Sequence, residues 1–166
     1  MHVLIATTGV LSPEPVVEFT RQLLGQHSKV TVVTVIEVPR EFLNGLGDSG
    51  PVRHDDEPDA AVDKYLSERG HRAVEPVALA LEGAQIPYEV VYLEGADAAA
   101  TISEAADSLS ADVVILGATR QIFRKDAWES VSARVMLESG KPVLVVPGAP
   151  DKTEEPPMSS EMTSES

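Results

Sequence analysis

Apolar residues in this chain fall into two patterns: short, mainly apolar runs, and stripes spaced for a helix. The runs lie within His2 to Thr7, from Val30 to Ile36, from Tyr88 to Leu93, from Val113 to Leu116 and from Val143 to Val146. The fourth stops abruptly at Gly117, and the fifth is fenced by Pro142 and Pro147. The fourth and fifth, uniformly aliphatic, suit strands buried on both faces, as in a parallel sheet covered by helices. The second is also rich in β-branched residues, which favour strands.

Helical stripes alternate with these runs. Ser12 is expected as an N-cap, with Pro13 at the first helical position and Glu14 in the first turn. Val16, Val17, Phe19, Thr20, Leu23 and Leu24 then form a stripe that ends at Gly25. From Val38 to Pro58 repeated breakers, among them Asn44-Gly45 and Ser49-Gly50-Pro51, predict a loop. Asp59 to Ala84 predicts a long helix with Val62, Tyr65, Leu66, Val77 and Leu81 on its buried face. Gly70 weakens that helix, and Pro76 is expected to kink it or split it in two. Asp97 caps or starts a helix carrying Ile102, Ala105, Ala106 and Leu109, and Trp128 to Ser139 forms another that stops at Gly140.

Strands alternating with helices mean a parallel sheet with crossover connections. The expected fold is α/β: a three-layer α/β/α sandwich on a five-stranded parallel sheet of order 3-2-1-4-5. Ligand crevices in such a sheet lie at the carboxyl ends of the first and fourth strands. Gly9 and Gly117 would then face one another across the crevice. From Gly148 onward proline, serine and glutamate dominate without apolar periodicity. One domain over residues 1–149 and a disordered acidic tail over 150–166 are expected.

Several stretches resemble the universal stress protein family, and the similarity covers nearly the whole chain. Gly117 matches the first glycine of the family's ATP loop, G-x2-G-x9-G-[S/T]; Ser130-Val131-Ser132 is similar to its closing S-V-S, and Lys141 to Pro147 to its C-P-V-L-V-V-P ending. Leu81-Glu82-Gly83-Ala84 and Tyr88 to Gly95 resemble the third strand and the helix before it. The resemblance implies the adenine nucleotide alpha hydrolase-like fold, a homodimer paired through the fifth strand, and an adenine nucleotide as the ligand class.

The departures fall on the ligand surface. Arg120 stands where the second glycine belongs. Counting nine residues on, Gln121 to Glu129, puts Ser130 at the third glycine; matching Ser130-Val131-Ser132 instead puts Glu129 there and leaves the loop one residue short. Glycines in such loops reach positive φ and let backbone amides approach phosphate oxygens. In the first strand, Thr8 replaces the aspartate that grips the nucleoside in ATP-binding members, and a hydroxyl lacks the charge-assisted strength of a carboxylate. The candidate nucleotide-binding residues are Thr8, Gly9, Val35, Gly117, Thr119, Arg120, Ser130 and Ser132. Gly9, Gly117 and the end of the second strand near Val35 would form an adenine slot. For the last five residues two readings stand: Thr119 and Arg120 donate to phosphate while Ser130 and Ser132 cap the chain, or the segment is a capped turn with Ser130 or Ser132 bonding nearby amides.

Composition narrows the function. The chain has 166 residues, enough for one domain with a real core and too few for two. Its formal net charge of -14 and pI near 4.5 disfavour nucleic-acid backbones and anionic membrane surfaces as partners. The absence of cysteine excludes disulfides and thiolate chemistry. No apolar stretch is long enough to span a bilayer and no leader precedes the first strand, so a cytoplasmic protein is expected.

Other candidate chemistry is thin. Arg124 and Lys125 beside Arg120 form a basic cluster, read either as an anion-attracting patch or as solvated loop charge. Phe123 and Trp128 are read as core packing under the loop, with base stacking as the alternative. His54-Asp55-Asp56-Glu57 lacks a second histidine at ligand spacing, so no metal is expected there. His27 and His71 are expected on the surface. No base, nucleophile or metal constellation is visible. The expectation is a regulatory or interaction module of the stress response, not an enzyme. It requires no cofactor, binds ATP or another adenine nucleotide weakly at most, and serves an unidentified protein partner. The alternative is an ATP-, AMP- or cAMP-binding switch with slow or no hydrolysis.

Overall fold

The computed structural model describes residues 1–39, 58–117 and 130–147. Strands β1 (His2–Ala6), β2 (Lys29–Ile36), β3 (Glu89–Glu94), β4 (Val113–Gly117) and β5 (Val143–Val146) alternate with helices α1 (Pro13–Leu23), α2 (Pro58–Gly83), α3 (Ala98–Ser108) and α4 (Val131–Glu138). The strands form one parallel sheet in the order β3-β2-β1-β4-β5, the order expected from the sequence.

Successive side chains of a strand point to opposite faces, and β1 shows it directly. Val3 and Ile5 join Val16, Val17, Val74, Val77 and Leu81 in a core on the α1 and α2 face. Leu4 and Ala6 join Ala99, Ile102, Ala106 and Val135 on the α3 and α4 face. Both cores need aliphatic residues without interruption, which is why the β1 and β4 sequences are unbroken runs. The two edge strands differ. β3 is half-buried at best and flanked by Glu89 and Glu94; in β5 only Val146 is fully buried.

Three helix expectations change. Phe19, placed on the buried stripe of α1, is 44% exposed, because Val16, Val17 and Thr20 already fill that face. Ser12 occupies the N-cap position without a side-chain cap bond. The long helix α2 runs unbroken through Pro76 and is not split there; its buried anchors are Val74, Val77 and Leu81, while Val62, Tyr65 and Leu66 are only partly covered. Gly70 is buried because the Tyr92 ring lies against the helix backbone there, in the space a methyl group would occupy. The residue that weakens α2 as a helix is the one that lets it close on β3.

The amino edge of the sheet is pinned by a residue with no motif. His2 Nδ1 lies 2.9 Å from the Leu109 carbonyl, and Nε2 lies 2.8 Å from Thr31 Oγ1. A carbonyl only accepts, so Nδ1 carries the proton and, in the neutral ring, Thr31 donates to Nε2. At the same edge, Tyr88 donates to Glu82 at 2.6 Å; this bond, with burial and the Glu82 charge added, pushes the phenol up to about 12.

Candidate functional site at the carboxyl edge of the sheet

The carboxyl ends of β1 and β4 lie side by side, with Leu116 in register with Ala6. The β1 ladder extends one residue further, the Thr7 amide donating to the Val33 carbonyl at 3.0 Å. Buried Thr7 organises the turn that follows: its Oγ1 accepts from the Gly9 amide at 3.0 Å and donates to the Ala73 carbonyl at 3.4 Å. Gly9 has φ +94°, a conformation other residues reach only with strain, and it sits against the α2 backbone with Ala73 Cα 3.4 Å from where a Cβ would be. Pro76 has no N–H, so the Arg72 carbonyl, four residues earlier, has no helical donor. The turn after β1 docks on α2 at Ala73, the residue next to that carbonyl.

Thr8 points outward and is exposed. Leu11, 5% exposed, folds back over Gly117, where a Cβ would lie 3.1 Å from Leu11 Cδ1. Gly117 has no positive φ, so here glycine provides room for Leu11. Val35 is half-buried and packs on the α3 and α4 side of the sheet. Gly9 and Gly117 thus serve different neighbours, α2 and Leu11.

Ser130 is the N-cap of α4 in extended conformation, its Oγ accepting from the Ala133 amide at 3.2 Å. Ser132 is also buried, its hydroxyl 3.4 Å from that of Ser130. Ser130 thus caps α4, while the Ser132 hydroxyl meets only that of Ser130. The amides of Val131 and Ser132, in the first turn of α4, have no intrahelical acceptor, and the helix dipole favours negative charge in front of them.

A second helix starts at the same edge. Asp97 caps α3, accepting from the Ala100 amide at 3.2 Å, and holds Arg134 of α4 through two parallel bonds of 2.9 Å each. Arg134 Nε donates to Glu138 at 2.9 Å. The Arg134 guanidinium, followed by the Ala100 amide, holds the Asp97 carboxyl below the usual carboxylate range. Sequence reasoning identified the cap but missed the pair, since nothing in local spacing links residues 97 and 134.

Thr119 and Arg120, with Phe123, Arg124, Lys125 and Trp128, lie outside the described residues, as does the cluster from His54 to Glu57. His27 and His71 are exposed. Among the described residues, no group of three or more His, Asp or Glu could hold a metal ion, and no helix is long and apolar enough to cross a membrane.

Comparison with known proteins places this geometry. No curated protein matches the chain. A solved universal stress protein family structure from Burkholderia pseudomallei shares 18% identity, with 89% of this chain and 96% of that chain covered and a TM-score of 0.57. A universal stress protein solved in complex with cAMP shares 20% identity, covering 88% of this chain and 96% of that one, with a TM-score of 0.59. A universal stress protein family member from Arabidopsis thaliana, solved with AMP bound, shares 13% identity, covering 93% and 96%, with a TM-score of 0.57. At these identities the likeness is one of fold. The sequence profile of the universal stress protein family matches residues 1–147, from the first described residue to the last, and the chain belongs to that family.

Proposed function

We propose that this chain is a regulatory and interaction module of the stress response, acting in the cytoplasm without being a robust enzyme, and that its carboxyl edge takes an adenine nucleotide weakly. The observation that carries this reading is how the donors at that edge are already used. The hydroxyls of Ser130 and Ser132, where the family motif closes, are buried in the cap of α4. The charged donor of that helix's first turn, Arg134, is engaged by Asp97 and Glu138. What the described residues offer a phosphate is the pair of amides at Val131 and Ser132, and what they offer a ribose is the neutral, exposed Thr8.

Losing a charged hydrogen bond costs about 1.5–3 kcal/mol, or roughly ten- to a hundredfold in affinity. Arg120 is the basic group the sequence supplies after Gly117 in partial exchange. The relatives solved with cAMP and AMP support the ligand class.

Calorimetric titration with ATP, ADP, AMP and cAMP tests the reading. The expected result is binding weaker than micromolar that Arg120→Ala weakens further. Sub-micromolar ATP affinity indifferent to Arg120→Ala would overturn both the weak binding and the contact. No binding by any of the four would leave the protein-partner module alone.

A further inference from the structure

Asp97 and Arg134 hold together two helix starts that the chain keeps far apart. α3 leaves from β3 at one edge of the sheet, whereas α4 lies between β4 and β5 at the other. Both helices begin at the carboxyl edge, and their first turns meet through the bidentate pair: Arg134 Nη1 to Asp97 Oδ1 and Nη2 to Oδ2, both 2.9 Å. With Nε on Glu138, the guanidinium plane is fixed from both sides. The carboxylate is fixed as well, because Asp97 Oδ1 also accepts from the Ala100 amide. A planar fork on a planar acceptor fixes orientation as well as distance, which a lysine cannot do.

Resting on the nucleotide reading above, we propose that Asp97 and Arg134 are positioning residues for the phosphate end of the site. Arg134 closes the same first turn as the amides of Val131 and Ser132 and anchors that turn to α3. The pair therefore sets the angle at which those amides present themselves at the carboxyl edge. Hydrogen bonds from amides to a phosphate weaken steeply with misalignment. A loosened α4 start would thus lose the phosphate while keeping contacts to the nucleoside.

The test uses the full chain with ATP and adenosine as paired probes, titrated by calorimetry, in Asp97→Asn, Arg134→Met, Arg134→Lys and the Asp97→Asn/Arg134→Met double variant. Asparagine still caps α3 but carries no charge; lysine keeps the charge and loses the fork. The expected result is about a tenfold loss of ATP affinity in each single variant, no change for adenosine, and no further loss in the double variant. Far-UV circular dichroism and the unfolding midpoint confirm that each variant is folded, and Arg134→Lys serves should Arg134→Met fail to fold. Equal losses for ATP and adenosine, additive losses in the double variant, or unchanged ATP affinity would overturn the positioning role while leaving the nucleotide reading intact. A wild-type chain that binds neither probe would overturn the nucleotide reading and the inference with it.

Discussion

Thr20 is fully buried in α1, and its hydroxyl finds no hydrogen-bond partner among the described residues. An unpaired buried hydroxyl costs more than the bond it could have made elsewhere. Thr20→Val keeps the shape and removes the polar atom, so it should raise stability by about 1 kcal/mol in urea unfolding. Gly70 has the opposite sensitivity. A methyl there would overlap the Tyr92 ring, so Gly70→Ala should destabilise by roughly 1–3 kcal/mol despite the better helix propensity of alanine. Adding Tyr92→Leu should recover part of that loss, and recovery is the readout that separates ring overlap from a backbone effect. Neither site could be read from the chain alone. Gly70 looked like a flaw in a helical pattern, and Thr20 looked like one more member of an apolar stripe; the reason for each lies in what stands opposite.

At the level of elements, β1 and β4 were legible because burial on both faces demands uninterrupted aliphatic sequence, and Gly117, Pro142 and Pro147 marked the end of β4 and the bounds of β5. Helix α2 was legible in extent, but its unbroken course through Pro76 was not, because tertiary packing of Val74, Val77 and Leu81 overrides a local penalty. At the candidate site, the Ser130 cap could be read in advance. Leu11 over Gly117 and the Asp97–Arg134 pair could not, since contacts across long sequence separations leave no periodic trace. That pair also gives the helix layer an acid sensitivity. The folded-state value of Asp97 is depressed from 3.8, so its contribution to stability is present above that value and lost as pH falls through the lower folded one. In acid unfolding followed by circular dichroism, wild type should therefore lose stability below about pH 4 more steeply than Asp97→Asn. Parallel curves would remove Asp97 from the account of acid stability.

For the molecule as a whole, the open question at the surface is the β5 side. β5 is a sheet edge with Val143, Leu144 and Val145 half-buried, and the preceding helix leaves Met136 52% and Leu137 65% exposed. Apolar edge strands of this kind need cover. Consistent with the pairing that the family resemblance implies, light scattering at micromolar concentration should give the mass of a dimer. Met136→Glu/Leu137→Glu should shift it toward monomer without loss of helicity; a wild-type monomer would contradict the proposed pairing. The strand order carries a different consequence, for biosynthesis. β1 emerges first and becomes the centre of the sheet, with β2 on one side and β4 on the other. Its partner β4 starts only at Val113, and the bond from the His2 amide to Asp112 spans 110 positions. At ribosomal speeds of about 5–20 residues per second, one flank of the central strand waits roughly 5–20 s for its neighbour. A nascent chain of this order thus keeps that flank open to wrong partners until β4 has been made.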